Sequence, residues 1–349
     1  MSDTDYTADE MMTVAASRAL QNGQVCFVGI GQPSAAANLA RQTHAPDVVL
    51  IYESGTLETR PDVLPLSIGD GELAETALTN VSVPEMFRYW LQGGRIDVGF
   101  LGAAQVDRYG NINTTVIGGT YLKPKTRLPG AGGAPEIATS ARETFILLRQ
   151  SPRAFVEKLD FITSLGHGSG GNSRAEAGAK TLGPTRLISD LCQMAPDPET
   201  KELTVTTIHP GVTRDQIIAA TGWAIRFADS VTETPVPEPS ELAVLREIHA
   251  RTARAHSHAV RSAHLMRRST VRVPILHSRR VPVPIPSSRS RRAAAIQRHI
   301  RRLPVLSSLS PHVRAVAPRA RRHGRAAQLR HQPVKFLERY LPIAVGVSH

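Results

Sequence analysis

Apolar residues recur at helical spacing through Met11, Met12, Val14, Ala15, Ala19 and Leu20, and the pattern stops at Asn22-Gly23. Ahead of it, Thr7-Ala8-Asp9-Glu10 has the Ser/Thr-x-x-Glu form of a capping box, so a first helix is predicted there. The apolar run over 24–30 reads as a strand, Gly31-Gln32-Pro33 as a tight loop, and the Ala-rich stretch 34–42 as a second helix. Val48-Val49-Leu50-Ile51 is β-favouring without polar alternation, as in a strand buried on both faces. Strand, helix and strand in this order, with a crossover of about a dozen residues, make a βαβ unit. Further strands are predicted over 96–101, 144–148, 161–164, 186–191 and 203–208, and helices over 84–92, 213–221 and 240–255. This alternation is that of the α/β class. No internal repeat precedes residue 250, and the spacing suits one compact domain over 1–255.

Charge separates that domain from the remainder of the chain. Residues 251–349 hold 21 Arg and one Lys against a single acid, Glu338, a net +21, whereas residues 1–250 carry a net −9. Nine of the thirteen histidines and nine of the twenty-five prolines also fall in this last stretch, and no apolar period organises it. Such a segment cannot bury enough apolar area to offset chain entropy, so 256–349 is expected to be disordered. One Lys among 22 cations is hard to derive from electrostatics. An Arg, Ala, Pro, Ser and His mixture is what G+C-rich DNA yields when read out of frame or past a lost stop codon, which makes the tail an artefact-like extension. The alternative is a real basic arm that binds nucleic-acid phosphates. Cys26 and Cys192 are too few for a disulfide framework, which favours a cytoplasmic setting. Asp3, Asp5, Asp9 and Glu10 occupy the part of the chain where a signal peptide would be basic and then apolar, and no apolar run approaches the ~18 residues of a membrane span.

The candidate chemistry begins at Ile51-Tyr52-Glu53-Ser54-Gly55, where a carboxylate stands at the point at which a buried strand breaks into a glycine turn. Ligands of open α/β sheets collect outside the carboxyl ends of strands, so Glu53 is expected to face a cleft. The bland alternative is a solvated glutamate. Two other segments narrow the choice. Residues 102–113, which include Gln105, pack small residues, amides and a turn behind a predicted strand. Gly130-Ala131-Gly132-Gly133-Ala134 precedes a helical-looking 135–141, so its N–H groups can converge on an anion as an oxyanion hole requires. A plain tight turn is the competing reading of that glycine run.

Taken together and in this order, these motifs resemble those of the β subunit of a family I coenzyme A transferase, of the glutaconate CoA-transferase type. The resemblance runs from about Asp5 to Ala255 and also includes Asn22-Gly23-Gln24-Val25, Gly29-Ile30-Gly31-Gln32-Pro33, Ala45-Pro46-Asp47 and Pro124-Lys125-Thr126-Arg127. It implies an open, mainly parallel α/β sheet with helices on both faces, of the CoA-transferase and NagB-RpiA-like kind. It also implies that Glu53 is the nucleophile, attacking an acyl-CoA thioester and later carrying CoA as a glutamyl thioester. Gly132, Gly133 and Ala134 would then form the oxyanion and thioester loop, with Ser54, Gly55, Gly31 and Gln105 binding substrate or orienting the nucleophile. For Gln105 a loop-stabilising amide is the alternative. The implied partner is an α subunit of similar fold, the substrates are acyl-CoA and carboxylic acids, and neither a metal nor a cofactor is expected beyond coenzyme A as substrate. The tail has no counterpart in the family.

Other readings are weaker. Gly29-Ile30-Gly31-Gln32-Pro33-Ser34 begins like a dinucleotide fingerprint but has Ser at the third glycine position. His167, in a glycine loop, lacks the companions a metal needs, while His44 and His209 sit beside turns and look structural. Lys123, Lys125 and Arg127 form a basic cluster that is either a solvated edge or an attractor of anionic substrate. A CoA-thioester hydrolase or ring-opening hydrolase on the same scaffold is the alternative enzyme, and nucleic-acid binding through the tail the alternative of another class.

Overall fold

The computed structural model describes residues 5–268, with side chains to residue 257. The expectation of a disordered tail therefore falls, from residue 269 on, outside the described residues. Thr7 caps α1 (Ala8–Arg18) through the expected box: its hydroxyl accepts from the Glu10 N–H at 3.2 Å, and the Glu10 carboxylate accepts from the Thr7 N–H at 2.8 Å. β1 (Val25–Phe27), α2 (Gln32–Gln42) and β2 (Val49–Ile51) complete the predicted βαβ unit. The chain then reverses into β3 (Thr56–Leu57), α3 (Gly71–Glu75) and β4 (Thr79–Asn80). α4 (Val83–Glu85) runs directly into a π-helical turn, Met86–Leu91, where a single helix was expected over 84–92. β5 (Val98–Gly102) is followed by two small hairpins, β6 (Gln105–Val106) with β7 (Ile112–Asn113) and β8 (Val116–Gly119) with β9 (Pro124–Arg127). α5 (Ala134–Ser140) and β10 (Glu143–Leu147) come next. The remaining elements are α6 (Ser173–Glu176), β11 (Pro184–Ile188), β12 (Cys192–Pro196), β13 (Leu203–Ile208), α7 (Arg214–Ala219), β14 (Arg226–Glu233) and α8 (Pro239–Arg268).

Ten strands form one sheet in the order β14-β13-β12-β11-β10-β5-β1-β2-β3-β4. The five from β11 to β2 are parallel neighbours, antiparallel pairs flank this block on both sides, and β14 joins the edge of β13 in parallel. Side chains along the central strands alternate between two cores, as the two-residue period of a strand requires. Cys26, Leu50, Tyr52, Val98, Phe100 and Phe145 pack with Met11, Met12, Ala36 and Ala40 of α1 and α2. Phe27, Ile51, Leu101, Ile146 and Leu187 pack with Met86, Leu91, Ile137 and Ile217 on the other face. The sheet is thus covered on both sides, as expected. α1 is buried nearly all round because Val14 faces outward onto Leu245 of α8, with Arg18–Glu241 and Arg246–Glu10 pairs along that seam.

Three expectations are corrected. No strand forms over 161–164; Ser164 makes one bridge to Ile112, while Phe161 stacks on Tyr121 and the Thr163 hydroxyl accepts from the Thr114 N–H, so side-chain bonds replace a ladder. The strand expected over 186–191 begins at Pro184 and ends at Ile188, because the Ser189 N–H turns back onto the Cys192 carbonyl and starts the unanticipated β12. The last helix does not stop at Ala255 but continues to Arg268. Both cysteines are buried and unpaired. Among the described residues no helix is long and apolar enough to cross a membrane.

Two histidines are built in as neutral rings. His209 bonds the Ser189 carbonyl through Nε2 and the Thr234 hydroxyl through Nδ1, each at 2.9 Å, and His167 bonds the Pro184 carbonyl at 2.9 Å. Burial lowers the pKa of both below the ordinary value. The unfolded chain therefore takes up protons that the native state refuses. The stability these rings supply is complete above about pH 6.5 and is lost as pH falls below it. Asp107, whose pKa burial raises to about 6, adds stability as pH falls through the same window, so the histidine part is read by difference. The urea midpoint of His209→Gln should shift less toward instability between pH 7.5 and 5.5 than that of the wild type, and identical shifts in both would contradict the assignment.

Candidate active site

Glu53 lies in the turn that joins β2 to β3. Tyr52 ends the strand with its ring fully buried in the α2 core, and its hydroxyl bonds Ser34 Oγ at 2.7 Å. The next side chain must leave on the opposite face. The turn closes through the Gly55 N–H on the Tyr52 carbonyl at 3.0 Å and the Tyr52 N–H on the Thr56 carbonyl at 3.2 Å. Gly55 has φ +101°, and a Cβ there would stand 2.0 Å from the Val81 carbonyl oxygen, so no other residue fits.

On that opposite face Glu53 meets the glycine loop. A Cβ on Gly133 would lie 2.8 Å from Glu53 Oε1 and 2.6 Å from Phe87 Cζ; one on Gly132 would lie 3.9 Å from the same carboxylate oxygen. Gly133 is the N-cap of α5, so the carboxylate stands at the start of that helix. The Gly132 and Gly133 N–H groups have no acceptor among the described residues, whereas the Ala134 N–H is spent on the Ala131 carbonyl at 3.1 Å. The Glu53 carboxylate, half-buried, makes no hydrogen bond or ion pair among the described residues. An unpaired carboxylate beside unpaired backbone donors can attack a carbonyl carbon and leave the resulting oxyanion for those donors to bind.

The other predicted residues are distributed unevenly around this pair. Ser54 and Gly55 belong to the same turn, and the Ser54 hydroxyl is buried with no hydrogen-bond partner. Gln105 is engaged at both ends of its amide, donating to Asp160 Oδ2 at 3.2 Å and accepting from Asn113 Nδ2 at 2.6 Å, which ties it into its own loop. Gly31 starts α2, which packs on the Tyr52 face. It opens instead into a cavity of about 600 Å³ with Asp9, Gln32, Arg149 and His249. His167 is held in the structural bond already described. Among the described residues no group of three or more His, Cys, Asp or Glu is placed to hold a metal ion.

Phe87 was not foreseen. The π-helical turn, with the Gln92 N–H on the Phe87 carbonyl at 2.9 Å and the Arg95 N–H on the Trp90 carbonyl at 2.9 Å, swings its ring between Gly133 and Phe27, which it meets edge-on at 6.2 Å. A π-turn inside a helix often marks a functional site. The nearest signal in the sequence is Gly93, whose Cβ would meet the Tyr89 carbonyl oxygen at 2.1 Å.

An open, mainly parallel sheet with an unpaired carboxylate at the carboxyl end of β2, the outermost strand of the central parallel block, has the layout of an α/β enzyme with its site at the strand ends. A family model described as Coenzyme A transferase matches residues 9–220, and the chain belongs to that family. It is 67% identical over 251 residues to the B-type subunit of 3-oxoadipate CoA-transferase from Pseudomonas knackmussii, covering 72% of this chain and 96% of that one. It is 34% identical over 250 residues to the B-type subunit of glutaconate CoA-transferase from Acidaminococcus fermentans, covering 70% and 92%. The crystal structure of glutaconate coenzyme A-transferase from Acidaminococcus fermentans matches with a TM-score of 0.66 at 32% identity, over 70% of this chain and 95% of that one. The chain is a β-type subunit of the family.

Gly133→Ala tests the close approach. Its φ of −85° suits alanine, so the fold should survive, but the Cβ must displace the Glu53 carboxylate and the Phe87 ring. We expect kcat to fall by about 10²–10³ with a melting temperature within a few degrees of the wild type. Undiminished turnover would show that the loop does not set the carboxylate.

Proposed function

We propose that this chain is the nucleophile-bearing β subunit of a heteromeric CoA-transferase that acts on small dicarboxylic acids of the 3-oxoadipate kind. The contact between Glu53 and Gly133 carries the reading, and the 67% identity to a 3-oxoadipate CoA-transferase chain supports the substrate class. An α subunit is the proposed partner, because the similar chains are named as B-type subunits. We place it in the cytoplasm, a reading supported by the two unpaired, buried cysteines and the metabolic substrates.

A Glu53 carboxylate oxygen attacks the thioester carbonyl carbon, the C–S bond breaks, and CoA leaves as thiolate. The thiolate then attacks the glutamyl carbonyl of the resulting anhydride. That step expels the first acid as its carboxylate and leaves CoA on Glu53 as a thioester. The acceptor carboxylate opens this thioester to a second anhydride, and the thiolate takes the acceptor acyl group, which restores Glu53. Each tetrahedral intermediate bears an oxyanion, which the free Gly132 and Gly133 N–H groups are suited to bind, an effect of a few kcal/mol per step. Charge and oxidation state balance throughout, so the reaction calls for no cofactor other than the coenzyme A that it moves. Water must be kept from the anhydride for transfer to outrun hydrolysis.

The test is to co-express the chain with an α subunit, incubate the complex with short dicarboxylyl-CoA donors, and follow the mass of the Glu53 peptide. A CoA adduct discharged only by 3-oxoadipate or a similar acid is expected. Glu53→Gln should lower turnover by about 10⁴-fold or more and abolish the adduct. Steady release of CoA without acceptor would replace transfer by hydrolysis.

A further inference from the structure

The hairpin of β8 and β9 stands immediately before the glycine loop, and its base is fused to it. The Leu128 N–H donates to the Thr115 carbonyl at 2.9 Å and the Gly130 N–H to the Thr114 carbonyl at 2.9 Å, while Thr114 Oγ1 donates to the Gly130 carbonyl at 2.8 Å. The hairpin therefore projects from the same piece of backbone that presents Gly132 and Gly133 to Glu53. Four residues of strand carry it roughly 13 Å outward.

Its charge is one-sided. No Asp or Glu occurs between Asp107 and Glu136, in a body whose first 250 residues are otherwise net acidic, and that stretch holds Lys123, Lys125 and Arg127. At a spacing of two, Lys125 and Arg127 fall on one face of β9, roughly 7 Å apart, and Lys123 stands just before the strand, in the turn where it exchanges both backbone hydrogen bonds with Thr120. All three are exposed. The Lys123 and Lys125 ammonium groups have no hydrogen bond or ion pair among the described residues.

Two features hold the row in place. Arg127 lies over the Tyr121 ring at 4.8 Å and donates to the Tyr121 carbonyl, while Tyr121 stacks on Phe161 with ring centres 5.6 Å apart. Opposite, a Cβ on Gly118 would stand 2.8 Å from Lys125 Cδ, so that glycine leaves room for the lysine stem to lie flat across the hairpin. A solvated edge requires neither device.

We propose that the Lys123, Lys125 and Arg127 face of this hairpin binds the phosphate groups of the coenzyme A substrate. The proposal rests on the reading of Glu53 as the residue that takes the thioester. It adds where the other end of the same molecule is held. A single carboxylate would occupy one of three cations spread over about 14 Å; coenzyme A carries a diphosphate and a 3′-phosphate at the far end of its pantetheine arm, a matching set of separated anions. Lysine and arginine contacts to phosphate of this kind are worth about tenfold or more in affinity.

The test compares Lys123→Ala/Lys125→Ala with the wild type, each as the complex with the α subunit. Binding of coenzyme A and dephospho-coenzyme A is measured by calorimetry, and turnover is measured with a dicarboxylyl-CoA and with the corresponding pantetheine thioester. The variant should bind coenzyme A about tenfold or more weakly. It should lose kcat/KM with the CoA thioester but keep it with the pantetheine thioester. A wild type whose affinity for coenzyme A falls with added salt, and a variant with a flatter dependence, would add support. Equal loss with both thioesters, or failure of the variant to assemble, would overturn the proposal and make the hairpin a subunit contact. Unchanged coenzyme A binding would overturn it alone. Absence of any Glu53 adduct in a wild type that binds coenzyme A would instead overturn the reading of Glu53, while the binding comparison would still judge the hairpin.

Discussion

The bond between Tyr52 and Ser34 fixes the site. A fully buried tyrosine whose hydroxyl is satisfied at 2.7 Å beneath α2 cannot exchange faces with its neighbour without leaving that hydroxyl unpaired and a large ring exposed. Leaving a buried hydroxyl unpaired costs about 1–3 kcal/mol, and burial of a side chain this size contributes a comparable amount. Burial also pushes the Tyr52 phenol up to about 12, so it remains a neutral partner at any working pH. Because residues on a strand alternate, anchoring Tyr52 on the α2 side directs Glu53 to the side of Phe87 and α5. The position of the reactive carboxylate is thus a consequence of core packing one residue earlier.

What the turn leaves unsatisfied is as informative as what it satisfies. Backbone N–H groups in folded proteins nearly always find partners. Here Gly133 is buried and its N–H has no partner among the described residues, while the N–H of exposed Gly132 is open to solvent, and both stand beside a carboxylate without a partner. Gly133 allows the two to approach because any side chain would enter the space of the carboxylate and of Phe87. Groups held ready but unpaired are suited to a reacting carbonyl, whose oxygen acquires charge as the carboxylate adds to its carbon.

The parts of this arrangement that depend on local pattern were legible in the sequence. The Thr7 capping box, the βαβ unit through Val49–Ile51, and Glu53 at a strand end followed by glycine all rest on spacings of a few residues. The parts set by distant contacts were not legible. β3 and β4 are two residues each, too short to show a period, and they exist because Val81 approaches Gly55 closely enough to exclude a side chain. Phe161 reads as the start of a strand but is taken by Tyr121. Nothing around Phe87 announces a π-turn, since its register depends on packing against Phe27 and Gly133. Gln105 read equally well as a site residue and as a loop amide, because only Asn113 and Asp160, 8 and 55 residues away, decide how its amide is used.

The far end of α5 shows how rigidly the loop is backed. Arg174 is 5% exposed and has no carboxylate partner among the described residues, and desolvation pulls its pKa down to about 10. An uncompensated buried guanidinium is ordinarily costly. Here its N–H groups are spent on the carbonyls of Leu165, Gly166, Thr181 and Ala138 and on the Thr181 hydroxyl, while that hydroxyl donates to the Thr139 carbonyl. Ala138 and Thr139 lie in the last turn of α5, where carbonyls without helical partners concentrate negative partial charge and a cation is favoured. The arginine therefore acts as a charged cap that clamps α5 to the segments before and after α6. With its C-terminal end clamped, a helix of only seven residues holds its N-terminal glycines against Glu53, although it is far too short to be stable on its own.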